Sequence, residues 1–320
     1  MIMKQYDKFV DIKILEALEG RIMSHHPKKE MIIRDLRRKK SEVAGEKELE
    51  YPLGFLYHDK FLILHNLRLQ DENGNFQIDT LILTERYYII LEVKNWQGTV
   101  IFDENGQVIR KRGTEEDEGF PNPISQVKTQ TFRLQKWLRK HNFPELKIEF
   151  FVVISFPSTI IKPSHPTFQI PEQVIHNNQL YFKIMELEKR KYPYQTSISN
   201  LKIISQKLIE LHTPPIINLF HKYKLNQSDF IRGVRCPKCH SLPMIRLNQK
   251  WHCTQCGAFS RFAHRSALVD YRLLIGNTIT NKQAREFLLV ESSDVVRRIL
   301  LKEKLIRKGS TKSSVYMWES

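Results

Sequence analysis

The stretch DTLILTERYYIILEVKNW, residues 79–96, places acidic residues within a run that otherwise favours apolar β-strands. Asp79 opens the stretch, and Glu92 and Lys94 stand near its end with only Val93 between them. Charged side chains in a buried strand are costly unless they are paired or coordinate a metal. Two explanations therefore compete: paired charges on a solvated strand face, or a metal-dependent active site.

Strand geometry shows how the second explanation works. Side chains alternate between the two faces of a strand, so Glu92 and Lys94 share one face. If IDTLILT pairs with YYIILEVKN across the short TERY connection, Asp79 approaches Glu92 on the sheet. Two carboxylates and a backbone carbonyl provide the hard oxygen ligands that Mg²⁺ prefers, and such a metal polarises a phosphodiester. A Glu-Val-Lys triplet alone is weak evidence, so the choice between paired surface charges and a metal-dependent site depends on the surrounding sequence.

Length and composition limit the class of protein. The chain has 320 residues, of which 41% are hydrophobic and 10% aromatic, which indicates a globular protein with room for two domains. It contains neither a signal-peptide core at its start nor a run of about 18 to 20 apolar residues that would span a bilayer. We expect a soluble, cytoplasmic protein without a membrane partner. The sequence leaves its oligomeric state open.

Helical and strand-like patterns divide the chain into segments. Helix, strands, helix, strand and further helices follow one another, which predicts an α/β domain with a mixed sheet flanked by helices. The expected segments are an N-terminal helical extension (1–40), the α/β domain (41–212), a linker (213–233), a small cysteine module (234–260) and a basic tail (261–320). Within the α/β domain, 122–141 reads as a helix. Its expected apolar face comprises Ile124, Val127, Phe132, Leu134, Trp137 and Leu138.

Several segments then occur in an order that is similar to a known family. They are AGEKELEYPLGFL, LHNLRL, FQIDTLILT, IILEVKNWQGTV and GFPNPISQVKTQ, over roughly residues 40–155. They resemble the nuclease-related domain (NERD) family of the restriction-endonuclease-like, PD-(D/E)xK superfamily. The resemblance implies a restriction-endonuclease-like fold for the α/β domain and a metal-dependent nuclease activity. A shared fold implies activity only by analogy.

The resemblance also assigns roles to individual residues. Asp79 and Glu92 resemble the carboxylates that bind Mg²⁺ or Mn²⁺, and Lys94 resembles the catalytic lysine. Glu46 resembles an additional acid of the superfamily, although it also fits a solvated helix residue. Gln126 resembles the helix glutamine near the scissile phosphate, although it also fits a residue that caps or cross-links the helix.

All four cysteines fall within residues 236–256. Cys236 and Cys239 form one C-x2-C pair, and Cys253 and Cys256 form a second after 13 intervening residues. This spacing predicts a zinc ribbon in which four thiolates hold one structural Zn²⁺ and MIRLNQKWHC forms a hairpin. Disulfides do not suit a chain without a secretion signal, and CPKCH as a haem-attachment motif leaves the second pair unexplained. The adjacent His240 and His252 are not expected to be ligands.

The tail resembles a winged-helix domain. NKQAREFLL and SSDVVRRILLKEKLI predict two short helices, with Ser292 or Ser293 as the N-cap of the second, and IRKGSTKSSVYMW predicts a β-hairpin. In winged helices the second helix enters the major groove. The expected nucleic-acid contacts are Arg297, Arg298 and Lys302 on that helix, and Lys308 and Lys312 on the hairpin. A helical packing or dimerisation module is the alternative.

Charge supports a nucleic-acid partner. The net charge is +16, and residues 232–320 carry 17 Lys and Arg against 6 Asp and Glu, a net of +11. A polyanion is the natural partner of such a tail. The leading hypothesis is a metal-dependent nuclease acting on DNA. The alternatives are a non-catalytic DNA-binding adaptor or regulator with a nuclease fold, and an RNA-processing factor.

Overall fold

The structure is a computed structural model that describes residues 1–6, 9–56, 59–113, 116–214, 219–303, 305–309 and 314–318. The chain forms two compact units, which are described separately. Unit 1 comprises Met1–Phe9 and Arg38–Ile216, and unit 2 comprises Val10–Arg37 and Ile217–Ser320.

Helices and strands alternate along both units. The helices are α1 Phe9–Arg21, α2 Lys29–Lys47, α3 Glu50–Leu53, α4 Pro123–Lys140, α5 Leu180–Glu188, α6 Ile198–Glu210, α7 Leu219–Tyr223, α8 His264–Leu274, α9 Asn281–Leu288 and α10 Ser293–Lys302. The strands are β1 Ile2–Lys4, β2 Leu62–Asp71, β3 Gly74–Leu83, β4 Tyr87–Lys94, β5 Thr99–Phe102, β6 Gln107–Lys111, β7 Glu118–Pro121, β8 Lys147–Ile154, β9 Ile160–Pro163, β10 Val174–His176, β11 Ile245–Leu247, β12 Lys250–His252, β13 Phe259–Ser260, β14 Thr278–Thr280, β15 Leu305–Lys308 and β16 Val315–Trp318.

Unit 1 is built on a six-stranded sheet in the order β1-β2-β3-β4-β8-β10. Strands β2, β3 and β4 are antiparallel neighbours, whereas β4, β8 and β10 run parallel. A second sheet, in the order β7-β6-β5-β9, extends the unit. This architecture confirms the predicted mixed α/β fold with flanking helices. It also confirms that the strands carrying Asp79 and Glu92 are adjacent, with Leu83 opposite Tyr88 next to the connection.

Hydrophobic clusters cover both faces of this sheet. Strand β8 contributes Val152 to the cluster that includes Val127 and Trp137 of α4, and Phe151 and Val153 to the opposite cluster. The continuous apolar run of β8 is therefore buried on both sides, as is typical of a strand inside a sheet covered on both faces.

Helix α4 confirms the predicted apolar face with one exception. Ile124, Val127, Leu134, Trp137 and Leu138 are buried, but the Phe132 side chain is 59% exposed. Phe132 precedes Leu134 by two residues, which places it about 200° around the helix, so including it in the buried face was wrong. The stripe is instead continued by Gln130, which is buried.

Unit 2 groups the expected segments differently. Tyr223, Leu225 and Phe230, in the segment predicted as a linker, are buried in one cluster with Leu18 and Ile32 of the predicted N-terminal extension. The extension also contributes β1 to the sheet of unit 1. The segment 213–233 includes α7 and a 3₁₀ turn, Gln227–Asp229. Its aromatic and aliphatic side chains pack into this cluster, so the segment is ordered by tertiary contacts.

The cysteine module and the tail share a second core within unit 2. Met244 and Trp251 of the module are buried in one cluster with Tyr271, Phe287 and Leu300 of the tail. The Trp251 indole N–H donates to His264 Nδ1 on α8 at 3.1 Å. A small ribbon has too little core to bury a tryptophan by itself. The side chains on both sides of the boundary expected at residue 260 pack in one core. No helix in the described part of the chain is long and apolar enough to cross a membrane.

Candidate nuclease site and zinc centre

Asp79 lies where strands β3 and β4 diverge. Their last backbone pair is Thr80 with Leu91, and beyond it the Val93 N–H donates to Asp79 Oδ2 at 3.1 Å. The aspartate side chain thus takes the place of a ladder hydrogen bond. A backbone N–H is an obligatory donor, so this contact fixes the carboxylate beside the end of β4.

Glu92 and Lys94 project from the end of β4 as an ion pair. Glu92 is only 2% exposed, and its Oε1 accepts a hydrogen bond from Lys94 Nζ at 2.7 Å. Its Oε2 accepts from Gln130 Nε2 of α4 at 2.9 Å. Burial, and next the negative charge of Asp79, raise the pKa of Glu92 to about 7 in spite of the favourable lysine and glutamine contacts. The site therefore holds excess negative charge that a cation would neutralise.

Gln126 joins the same group from the first turns of α4. The helix begins after Asn122, whose side chain accepts a hydrogen bond from the Ile124 N–H at 2.9 Å. Gln126 Oε1 accepts from Lys94 Nζ at 3.1 Å, so the lysine bridges a strand carboxylate and a helix amide. Gln126 is exposed and Lys94 is about one-fifth exposed, which leaves this end of the group open to solvent.

Glu46 is buried near the end of α2 and is not a solvated helix residue. Its Oε2 accepts a hydrogen bond from Asn66 Nδ2 at 2.7 Å, and its backbone carbonyl accepts from the Tyr6 hydroxyl at 2.8 Å. Burial, and then the negative charges of Glu46, Glu50 and Asp79, raise the pKa of Tyr6. Tyr6 is thus electrostatically coupled to both Glu46 and Asp79.

Gly45 explains how α2 approaches the sheet. A Cβ atom at this position would lie 2.5 Å from Asn95 Cβ and 2.8 Å from Ser155 Oγ. Asn95 links the same elements, because its Nδ2 donates to the Ser41 carbonyl at 2.8 Å and its Oδ1 accepts from Ser155 Oγ at 3.1 Å. The absence of a side chain at Gly45 therefore sets the position of Glu46. Trp96, the residue after Asn95, is buried in the core.

The donor set fits a hard cation, although it is incomplete as a cage of side chains. Among the described residues, only the four cysteines form a group of three or more His, Cys, Asp or Glu side chains with all ligand atoms within 4.8 Å of one another. Glu46, Asp79 and Glu92 do not form a second such group. Two carboxylates, backbone carbonyl oxygen and water are a suitable set for Mg²⁺, which keeps several of its waters.

Three contacts in this region had not been expected from the sequence. Gln130 binds Glu92, Asn66 binds Glu46, and His65 Nδ1 lies 3.0 Å from Thr80 Oγ1. The burial of Gln130 could have been predicted from the sequence, because this polar residue stands at a position that continues the apolar stripe of α4. Asn66 has a left-handed backbone with φ 48°, a conformation that asparagine tolerates, but the sequence does not show which acid it contacts.

The four cysteines lie together as predicted. Cys236 Sγ is 3.7 Å from Cys256 Sγ, and Cys239 Sγ is 3.5 Å from Cys253 Sγ. Tetrahedral Zn²⁺ with bonds of about 2.3 Å requires sulfur–sulfur separations of about 3.8 Å, so the four thiols fit zinc closely. The strands β11, β12 and β13 form the expected small antiparallel sheet.

Both C-x2-C pairs sit in the same kind of turn. The His240 N–H donates to the Cys236 carbonyl at 3.0 Å, and the Gly257 N–H donates to the Cys253 carbonyl at 2.9 Å. Both residues have left-handed backbones, with φ 61° for His240 and 69° for Gly257. His240 therefore occupies a turn position equivalent to that of a glycine. His240 and His252 lie outside the metal-ligand cluster.

The tail places most of the predicted contact residues on the surface. Arg297, Arg298 and Lys302 of α10 are exposed, as is Lys308 of β15, whereas Lys312 lies outside the described residues. The Ser292 side chain caps α10 by accepting a hydrogen bond from the Val295 N–H at 3.3 Å. Strands β15 and β16 form the predicted hairpin, and β14, which the sequence did not reveal, pairs with β16 as a third strand.

Comparison with known families supports the same domain assignment. Residues 41–155 match the family model described as nuclease-related domain (NERD). Strands β2 to β4, Glu46 and Gln126 all lie within the matched region. No curated protein and no solved structure matches the chain.

Proposed function

We propose that the protein is a metal-dependent nuclease that hydrolyses phosphodiester bonds, with DNA as its substrate. The observation that carries this proposal is the contact of Lys94 with both Glu92 and Gln126, where burial and then the charge of Asp79 raise the pKa of Glu92. Excess negative charge, a lysine and an open edge are what a phosphodiester and its divalent cation require. The nuclease-related domain supports the same reaction class.

Each residue has a definite role in this proposal. Asp79 and Glu92 hold Mg²⁺ or Mn²⁺, and the cation, when bound, polarises the phosphodiester and acidifies water. Lys94, whose ammonium group lies beside Glu92, would stabilise the negative charge that develops on the phosphate. Gln126 keeps the ammonium group at the open end of the site, and Gln130 orients Glu92 from the buried side. Glu46 lies at the buried rear and adds negative charge.

The second unit supplies nucleic-acid binding in this proposal. Residues 234–265, which include the ribbon, contain six Lys or Arg and no Asp or Glu. The ribbon is stabilised by Zn²⁺ on the four cysteines. The α9–α10 pair with its three-stranded hairpin sheet acts as a winged helix, with Arg297 and Arg298 on the helix that enters the major groove. A cytoplasmic location remains a prediction.

The test is a substrate panel with site variants. Linear, nicked and single-stranded DNA, and RNA, are incubated with the protein and Mg²⁺ or Mn²⁺. We expect metal-dependent cleavage of DNA. Lys94→Ala should abolish cleavage while sparing metal binding, whereas Asp79→Ala and Glu92→Ala should weaken both. Lys207→Ala, which removes a partly exposed lysine paired with Glu210 on α6, is the matched control and should cleave normally.

The results separate the nuclease from the alternatives. Cleavage at the wild-type rate by Glu92→Ala would show that the site is wrongly assigned. DNA binding without cleavage under either metal would identify the protein as a non-catalytic adaptor or regulator. Preferential cleavage of RNA would point to RNA processing.

A further inference from the structure

A cavity of about 430 Å³ lies in unit 1 and is unusually aromatic. Its walls include Tyr51, Phe55, Tyr181 and Phe182, with Pro157 and Asn177. We call it the aromatic cavity. The rings form a continuous chain of contacts: Tyr51 packs edge-on against Phe55 at 4.9 Å, Phe55 against Tyr181 at 5.8 Å, and Tyr181 against Phe182 at 5.5 Å.

These rings are exposed to a degree that folding does not explain. The exposed fraction is 77% for Tyr51, 53% for Phe55 and 66% for Phe182. Pro52 and Leu53 of the same short helix are buried, so α3 already contributes its share to the core. Large apolar groups that remain clustered at a surface cavity commonly mark a binding site.

A polar atom in the wall lacks a partner. Asn177 Nδ2 donates to the Glu48 carbonyl at 2.9 Å, and because a carbonyl only accepts, this contact fixes the orientation of the amide. Asn177 Oδ1 is buried and has no hydrogen-bond partner among the described residues. Such an oxygen is costly to leave unpaired, and because it is shielded from solvent, a ligand N–H would reach it only after the Asn177 side chain turns toward the cavity.

The cavity also lies close to the proposed catalytic lysine. In the register of the parallel strands, Lys94 is opposite Ile154, and Ile154 is opposite His176, which lines the cavity. Adjacent strands are about 4.8 Å apart, so the backbones of Lys94 and His176 are about 10 Å apart along this edge. Ligands of open α/β sheets characteristically bind outside the carboxyl ends of parallel strands.

We propose that the aromatic cavity receives an unpaired nucleobase of the nucleic-acid substrate, next to the phosphodiester at the nuclease site. The inference rests on the proposed function and specifies its substrate as a strand with at least one unpaired base. Aromatic side chains stack on any base through its π-face, and every base carries on its Watson–Crick edge an N–H group that Asn177 Oδ1 can accept. Burial lowers the pKa of His176, so its imidazole is neutral at pH 7 and the walls carry no charge. An inorganic ion is therefore a poor occupant.

The test measures base stacking without catalysis. A single-stranded oligonucleotide containing 2-aminopurine is titrated with the full-length protein in the absence of added divalent metal, and fluorescence quenching reports stacking. We expect Tyr51→Ala and Phe182→Ala to weaken the quenching interaction roughly 5- to 150-fold, the effect of losing one base–aromatic stack. Phe132→Ala is the matched control, because Phe132 is 59% exposed in the same unit and does not line the cavity.

Duplex binding and cleavage distinguish the possible failures. Affinity for a fully paired duplex should be equal in all four proteins, since its bases are not available. Equal quenching by wild type and both cavity variants overturns the proposal, even where metal-dependent cleavage is intact. Cleavage by Lys94→Ala at the wild-type rate overturns the assignment of the nuclease site to Lys94 and leaves the quenching result standing. A dimer of the wild type that Phe182→Ala dissociates also overturns the proposal, because the rings then form an interface between two copies.

Discussion

Replacing Gly45 by alanine tests whether α2 must touch the sheet. The new Cβ would lie 2.5 Å from Asn95 Cβ and 2.8 Å from Ser155 Oγ. Carbon atoms in ordinary contact are about 3.5–4.0 Å apart, so the helix would have to withdraw by about 1 Å. Asn95 Cβ is fixed to the backbone and cannot swing away.

Two effects of opposite sign then compete. Alanine favours a helix over glycine by about 1 kcal/mol, whereas overpacking costs about 1–3 kcal/mol. Withdrawal of the helix would also lengthen the hydrogen bond from Asn95 Nδ2 to the Ser41 carbonyl, which is 2.8 Å. We therefore expect Gly45→Ala to lower the free energy of unfolding of unit 1 by about 1–2 kcal/mol. Because Glu46 is the next residue, nuclease activity should fall as well.

The assay must report on unit 1 alone, since a chain of two units need not unfold in one step. Denaturant-dependent hydrogen exchange, measured on peptides from β3 and β4, provides this local free energy. Ala44→Gly, at an exposed position of the same helix, measures helix propensity without the clash and should cost about 1 kcal/mol. In an Asn95→Gly background the penalty of Gly45→Ala should shrink. If Gly45→Ala instead stabilises the unit, the close approach of α2 is refuted.

Three further predictions concern the charge of the site, the zinc and the tail. The pKa of Glu92 is about 7 in the folded protein against an ordinary value of 4.5. Between these values the unfolded chain has released its proton and the folded protein has not, so the free energy of unfolding falls as pH rises. Without divalent metal, Glu92→Gln should gain about 2 kcal/mol relative to wild type between about pH 5.5 and about pH 8, measured by the same exchange method; no relative gain would contradict the buried charge. Metal analysis should find about one zinc per chain and markedly less in Cys253→Ser, whereas zinc-free wild type would reject the ribbon. Arg297→Glu with Arg298→Glu should weaken DNA binding and flatten its log-linear salt dependence; an unchanged slope would make the tail a packing module.

Local chemistry made some features predictable. The two C-x2-C pairs predicted one tetrahedral metal site, and the structure brings the four thiols together. The alternation of side chains placed Glu92 and Lys94 on one face of β4, where they form an ion pair. The apolar period of α4 identified its buried side except at Phe132. Each of these predictions depends only on the spacing of residues within one short segment, and this spacing can be read from the sequence.

Contacts between distant elements were less accessible. The hydrogen bond from Asn66 to Glu46 joins residues 20 apart on a strand and a helix, and no local pattern encodes it. Unit 2 shows the same limit. The N-terminal helix α1 shares a core with Tyr223 and Phe230, and such pairing of remote apolar surfaces depends on the tertiary fold. The segments predicted as an extension (1–40) and a linker (213–233) therefore contribute side chains to a common core.

Asp79 has a structural reason to lie on its strand. The strands β3 and β4 separate after the pair Thr80–Leu91, and an unpaired Val93 N–H there would be costly. Asp79 supplies the acceptor, so this side chain has a structural role even without a metal. Glu92 has no such structural justification, because a buried carboxylate with a raised pKa weakens the metal-free fold at neutral pH. A residue that destabilises its own fold is expected where function requires the charge, so Glu92 supports the proposed nuclease site more strongly than Asp79 does.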